Sequence, residues 1–307
     1  MTETKKSPET RAGTRPGVLW ILTADSARDL FRYKSFLLLI FVLALADKVL
    51  HGLFPQGLSG IELPGLEGGG AAAAEYAFTR LGPQAMEFFW HWQTPVLLAG
   101  LFLFKQLISL WPSADMRRMH IRQRGVFGII GSLASLRWHQ VLWDAAAVGS
   151  LAAGAFLVAI LGFVFFRGLW LAWPGAVWLY LWLACIGLAA PLFLAGLSYS
   201  SKLAVLSRGS FAQKLGLFYR LFFVPGLLVP SWLFFVCRIV LEAIFVAAIP
   251  AAIILYVPYF WLRVPAACLL ATPAYSYLKM ATFKFFLDRY RNYDLVATEY
   301  AQYFSDR

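Results

Sequence analysis

Four ionisable residues fall inside or beside long apolar stretches: Asp144, Arg238, Glu242 and Arg263. A charge at membrane depth is costly, and its default meaning is a functional site unless it stands at an interface. Arg238 and Glu242 are spaced i, i+4 and can pair on one helix face. They are expected as a surface pair near the outer end of a span. Asp144 falls within one turn of a span start, at head-group depth, where Arg137 can approach it from two turns back. His51 and His91 offer a different chemistry. Two imidazoles at matched depth on the first two spans have what axial ligation of a b-type haem requires. Each stands at a span end, however, where a solvated histidine is ordinary, so neither a cofactor nor a metal is expected.

No other constellation carries catalysis. The chain has no GxxxxGK[ST], HExxH, GxSxG or kinase signature. The acidic residues are dispersed, and no span presents two facing carboxylates. Cys185, Cys237 and Cys268 all lie in apolar blocks without a CxxC pair, which argues against a disulfide framework or a zinc site. They are expected as buried thiols. The chain is not expected to be an enzyme.

The elements that position these groups are read from composition. Of 307 residues, 60% are apolar and 14% charged, where soluble chains have about 45–50% and about 25%. That excludes a soluble enzyme, a disordered chain and a nucleic-acid binder. The apolar residues come in blocks of about 20, enough to cross a bilayer. The fold class is therefore all-α, a polytopic integral membrane protein. A formal charge of +11 fits cationic loops retained on the cytoplasmic side and needs no nucleic-acid partner.

Residues 1–16 read as a disordered cytoplasmic tail, and Gly17–Lys34 as an amphipathic helix lying in the interface, its apolar side in the lipid boundary. Spans are expected at about 35–54, 88–111, 141–166, 170–197, 217–237 and 258–280, with a short turn at Arg167. Segment 55–84 is rich in Gly and Pro and acidic, and is expected outside, with a short surface helix over 71–81. Segments 112–140 and 198–220 are basic and expected as cytoplasmic loops, followed by a cytoplasmic tail over 281–307. Basic segments inside and an acidic one outside require an even number of crossings. Six transmembrane helices follow, in a single membrane domain over 17–280. The surplus Arg238–Val257 would form a re-entrant element between helices five and six, broken at Pro250. Both termini would face the cytoplasm of a bacterial-type inner membrane. Small residues around Gly149 and Gly154 suggest close helix packing.

The segment Arg117–Gly149, RRMHIRQRGVFGIIGSLASLRWHQVLWDAAAVG, resembles the cytoplasmic loop of type-two ABC exporter permeases. There a charged stretch leads to a Gly, an apolar helix, a Ser-Leu-Pro-type turn with a basic residue, and the third span. Here these are Arg122–Arg124, Gly125, Val126–Leu133 and Ser132–Arg137. The order of elements is similar too. The family's acidic residue in the charged stretch is replaced by Arg and Gln, Ala134 stands where Pro is common, and Asp144 stands near a frequent Lys. The resemblance implies a permease subunit exporting a hydrophobic or amphipathic cargo, with a separate cytoplasmic ATPase as partner. Arg117, Arg118, Arg122, Arg124, Gly125 and Arg137 would form the docking site, and two permease subunits would pair. Two readings stand beside it: a non-enzymatic scaffold or assembly subunit of a larger membrane complex, and a redox subunit holding b-haem at His51 and His91.

Overall fold

The computed structural model describes residues 24, 26–30, 34–52, 69–81, 93–120, 131–206, 210–223, 225–257 and 259–290. Among them all regular structure is helical. The elements are α1 (Lys34–Gly52), α2 (Gly69–Tyr76, continued by π-helical Ala77–Leu81), α3 (Gln93–His120), α4 (Trp138–Ala172), α5 (Val177–Leu206) and α6 (Phe211–Phe223). They are followed by α7 (Pro225–Glu242, π-helical Ala243–Ala248, then Ile249–Ile254) and α8 (Phe260–Tyr290). The tail over 1–16, most of the external loop and residues 291–307 lie outside the described residues.

Among the described residues, three helical runs are long and apolar enough to cross a membrane: Trp138–Ala172, Val177–Leu206 and Leu228–Ile254. The chain itself buries only 6%, 11% and 6% of their apolar windows. Side chains such as Phe156, Val158, Leu161 and Phe165 are exposed. So large an apolar surface is stable only where lipid replaces water.

Helix α4 begins after a turn in which Arg137 N donates to Gln140 Oε1 at 3.0 Å. The turn expected at Arg167 does not exist. α4 continues to Ala172 and stops at Trp173-Pro174-Gly175, with Trp173 extended at φ −138°. A charge does not break a helix, whereas the residue before a proline is pushed out of the helical region. Arg167 is simply an exposed helical residue. Between Asp144 and Arg167 the chain carries no charge, a stretch of about 33 Å at 1.5 Å per residue, close to the hydrocarbon thickness.

Three further helices run past their expected C-terminal ends. α3 continues through Pro112, burying Ser113, Ala114, Asp115 and Met116. α5 continues from Ser198 to Leu206, with Lys202, Leu203 and Ala204 buried. α8 runs past Met280, and Phe283, Phe285, Phe286 and Leu287 are core residues. These stretches were expected as loops and tail because they are polar or charged. They are helical because their apolar positions pack together, in a core beyond the apolar spans.

That core sits at the end of the bundle where α1 and α4 start and α3, α5 and α8 finish. It joins Phe36, Leu39 and Ile40 to Leu110, Trp143, Leu203, Phe218, Phe235 and Phe286. Phe36, Leu39, Ile40 and Leu43 follow the i, i+3, i+4, i+7 stripe of a helix face. The rings of Phe234 and Phe285 stack at 4.2 Å, and Tyr199 packs edge-on to Phe235 at 5.8 Å. α6 enters through a capping box: Ser210 N donates to Gln213 Oε1 at 2.9 Å while Gln213 N faces Ser210 Oγ at 3.4 Å.

The segment Ser26–Leu30, inside the expected interfacial helix, is helical. Leu30 belongs to the protein core, and Asp29 forms an ion pair with Lys284 of α8. This part of the helix packs on protein, where the lipid boundary was expected. At the other end of the bundle, the short helix expected over 71–81 is present as α2. Its Ala74 and Phe78 are buried against Leu179, Phe163 and Trp170, with Phe78 ring centroids 5.3 Å from Phe163 and 5.8 Å from Trp170.

α7 differs most from expectation. The span end expected at Cys237 is not a helix end, because the helical run passes Arg238 and continues to Ile254. Pro250 has no N–H to give to the carbonyl four residues back, and its ring crowds that carbonyl. The π-helical turn just before it accommodates this, with Ile249 N donating to Ile244 O, five residues back. The expected break at Pro250 is thus a widened turn inside one helix. The helix ends in a turn at Leu255–Tyr256, and α8 packs along α7.

Candidate functional site: an amphipathic cavity on a charged floor

Helices α1, α3, α7 and α8 line a partly open cavity of about 600 Å³. Each contributes one face. Ile40, Leu43, Ala44 and Asp47 come from α1, and Lys105, Ile108, Ser109 and Pro112 from α3. α7 supplies Glu242, Val246, Ala247, Pro250, Ala251 and Ile254, so its π-helical turn forms part of the wall. α8 supplies Ala267, Cys268, Ala271, Thr272, Tyr275 and Lys279. Spacings of three and four residues put these side chains on common helix faces. The alanines keep the helices from filling the space between them. The π-helical turn is a further mark, since such turns recur at functional sites.

The walls are apolar, and four charges interrupt them. Asp47 and Lys105 stand 4.0 Å apart, with 36% and 65% of their side chains exposed, and so mark an open side. Glu242 pairs with Arg238 at 3.5 Å. Arg238 also donates to Thr282 Oγ1 at 3.1 Å and lies over the Phe235 ring at 5.5 Å. The Lys279 ammonium sits over the Tyr275 ring, 5.1 Å from its centre.

Beneath the cavity is a second polar layer. Asp144 is fully buried, and Lys202 is 3% exposed. Ser109 Oγ, which lines the cavity, lies 3.5 Å from Asp144 Oδ2, and Ser200 also faces that carboxylate. Lys202 Nζ donates to the Ser198 carbonyl and hydroxyl, both at 2.8 Å, and feels Asp144, Arg238 and Lys279. Tyr199 donates to Ser231 Oγ at 3.0 Å on the same floor. Burying charge is costly unless it is partnered: Asp144 Oδ2 has Ser109, whereas Oδ1 is buried without a hydrogen-bond partner among the described residues.

The residues singled out from sequence are distributed as follows. Arg238 and Glu242 do pair, but at the middle of the run Leu228–Ile254 and partly buried, where a surface pair at a span end was expected. The correction follows from α7 being longer than expected. Asp144 is shut off from solvent, and its neighbours are Ser109, Ser200 and Lys202. Arg137 is exposed at the start of α4 and is not among them. Arg263 Nε donates to Val257 O at 3.3 Å and so ties the α7–α8 turn to α8. Arg117 and Arg118 lie on α3, but their side chains are not described; Arg122, Arg124, Gly125 and His91 lie outside the described residues, as does the side chain of His51. Cys268 is buried in the cavity wall as expected, whereas Cys185 and Cys237 are exposed on apolar helix surfaces.

Sequence reasoning missed Lys105, Lys202, Lys279 and Thr282. Lys105 carried a signal, being a cation inside the apolar run Leu101–Leu110. Asp47 was attributed to the interface, although it is one helical face with Leu43 and Ile40. Lys202 and Lys279 fell just beyond span ends drawn too early. Comparison of the chain with protein-family models, with curated proteins and with solved structures gave no match.

Proposed function

We propose that this chain is the membrane subunit of a transport system that moves a hydrophobic or amphipathic cargo, driven by a separate cytoplasmic ATPase. The observation that carries the reading is the cavity, whose largely apolar walls carry four charged side chains, Asp47, Lys105, Glu242 and Lys279. A site of that kind offers an amphipathic molecule both surfaces it needs at membrane depth.

In this reading α1, α3, α4, α5, α7 and α8 are six crossings, with both termini on the cytoplasmic side of a bacterial-type inner membrane. Loop charge supports the even number. Span five is then the run Leu228–Ile254. It takes up most of the segment first assigned to a re-entrant element, and the parity stays even without one. The basic segment with Arg117, Arg118, Arg122, Arg124, Gly125 and Arg137 is where the ATPase would dock, and two copies of the permease would pair.

The test is affinity purification of the full-length chain from native membranes, followed by mass spectrometry. An ATPase should co-purify and should be lost when Arg122 and Arg124 are replaced by alanine. A purified complex that contains membrane proteins but no nucleotide-binding chain would overturn the transport reading. It would favour the assembly-subunit reading, which draws support from the wide apolar outer face of the α4–α5 hairpin.

A further inference from the structure

We infer that the cavity binds a single-chain amphiphile with an anionic head group, seated head-first against Lys279. This deepens the transport reading by naming the class of ligand. Its geometry involves no ATPase.

The charges decide the head group. Lys105 faces Asp47, Arg238 pairs with Glu242, and Asp144 is the carboxylate whose charge reaches Lys202. Lys279 has no carboxylate against it among the described residues; its neighbours are the Tyr275 ring and the like-charged Lys202. Lys202 also lies within electrostatic reach of Arg238, so three basic side chains share this region with two carboxylates, Asp144 and Glu242. In a site of low dielectric an unmatched cation is expensive. An anion bound at Lys279 relieves the repulsion and completes the set. Carboxylate and phosphate heads share this chemistry.

The shape decides the tail. From Lys279 to Ala267 the α8 wall runs about 18 Å at 1.5 Å per residue. Its facing positions on α7 are Val246, Ala247, Ala251 and Ile254, all apolar. A volume of about 600 Å³ lies in the range that encloses one small ligand. The α7–α8 side of the cavity is largely apolar between Glu242 and Lys279 at one end and Ile254 and Ala267 at the other, while Asp47 and Lys105 pair with each other on the open side; with Lys279 at one end it suits one alkyl chain with an acidic head.

The experiment uses the full-length chain alone in phosphatidylcholine nanodiscs. Saturable binding above that of empty nanodiscs is measured for radiolabelled dodecanoate, dodecyl phosphate and dodecyltrimethylammonium. At least one anion should bind, and the cation should bind at least about tenfold more weakly, the scale of one charge-assisted hydrogen bond. Comparing the two anions tells a carboxylate ligand from a phosphate one. Lys279→Gln should weaken anion binding by about tenfold or more, and Lys279→Arg should largely restore it, which separates the charge from the fold. Ala271→Phe, filling the wall, should abolish binding of the same anion. Equal binding of the cation, undiminished anion binding by Lys279→Gln, or no saturable binding of either anion would each overturn the inference. Because no ATPase is present, loss of the co-purification result leaves this one standing, and the reverse holds too.

Discussion

Ser109 Oγ on α3 and Asp144 Oδ2 on α4 stand 3.5 Å apart, and Ser109 also lines the cavity. This contact joins the cavity wall to the buried charges beneath it. The charge of Asp144 also reaches Lys202, which is itself shut off from solvent. Asp144→Leu leaves Lys202 with Arg238 and Lys279 as charged neighbours and no carboxylate. The expected loss of stability is about 3 kcal/mol, the scale for a buried charge deprived of its partner. The double change Asp144→Leu with Lys202→Met should recover most of it. Denaturant-induced unfolding in mixed micelles measures both. A single variant as stable as the parent would mean that the two side chains do not depend on each other.

Arg238 and Glu242 form the second pair, at the middle of a helical run long enough to cross the membrane. Glu242→Leu removes the carboxylate and leaves Arg238 held by Thr282 and the Phe235 ring. A lone arginine at a span centre costs about 2.5–3.5 kcal/mol in membrane insertion. The variant should accumulate at lower levels in membranes, and Arg238→Met with Glu242→Leu should restore them. A double-mutant cycle separates the pair from its surroundings. Additive losses would show that the coupling is absent.

Asp29 and Lys284 join the two ends of the described chain. Lys284 is 6% exposed and Asp29 16% by side chain, so the pair is largely desolvated. Asp29→Ala should loosen the segment Ser26–Leu30 from α8 and speed tryptic cleavage at Arg28, with the helices α4 and α5 unaffected. Cleavage at the parental rate would show that Leu30 packing alone holds the segment.

Phe78 anchors α2 on the α4–α5 hairpin through Phe163 and Trp170. Phe78→Ala removes a ring that is 2% exposed, and such a change costs about 3 kcal/mol where the site cannot collapse. Since α2 packs in a small cluster of its own, the effect should stay local. Hydrogen exchange should speed up over 69–81 and remain unchanged in the core near Phe36 and Leu203. Acceleration in both places would mean that the two clusters unfold as one.

The sequence by itself determined that the chain is helical and has segments fit for lipid. Hydropathy is a local property: the uncharged stretch between Asp144 and Arg167 is long enough to cross a bilayer whatever else the chain does. The i, i+4 spacing of Arg238 and Glu242 made their pairing legible for the same reason. Helix ends are less legible, because a charged stretch reads as a loop whether or not the fold buries it. Lys202, Asp115 and Lys284 are helical and buried; Lys202 is held by Ser198 one turn back on its own helix and Lys284 by Asp29, far away in the chain. The turn at Trp173–Gly175 was visible only to backbone chemistry, where proline outweighs charge.

What only the tertiary structure decided is which polar groups meet. Asp47, Lys105, Glu242 and Lys279 lie on four different helices or helical segments, far apart in the chain, and line one cavity. Asp144 faces Ser109 and Ser200 and its charge reaches Lys202, although its nearest basic residue before it on the same helix approach is Arg137. No periodicity along one helix specifies the rotation of its neighbours. That rotation is set by the packing of Phe36, Trp143, Phe235 and Phe286 in the common core, and the side chains that face the cavity follow from it.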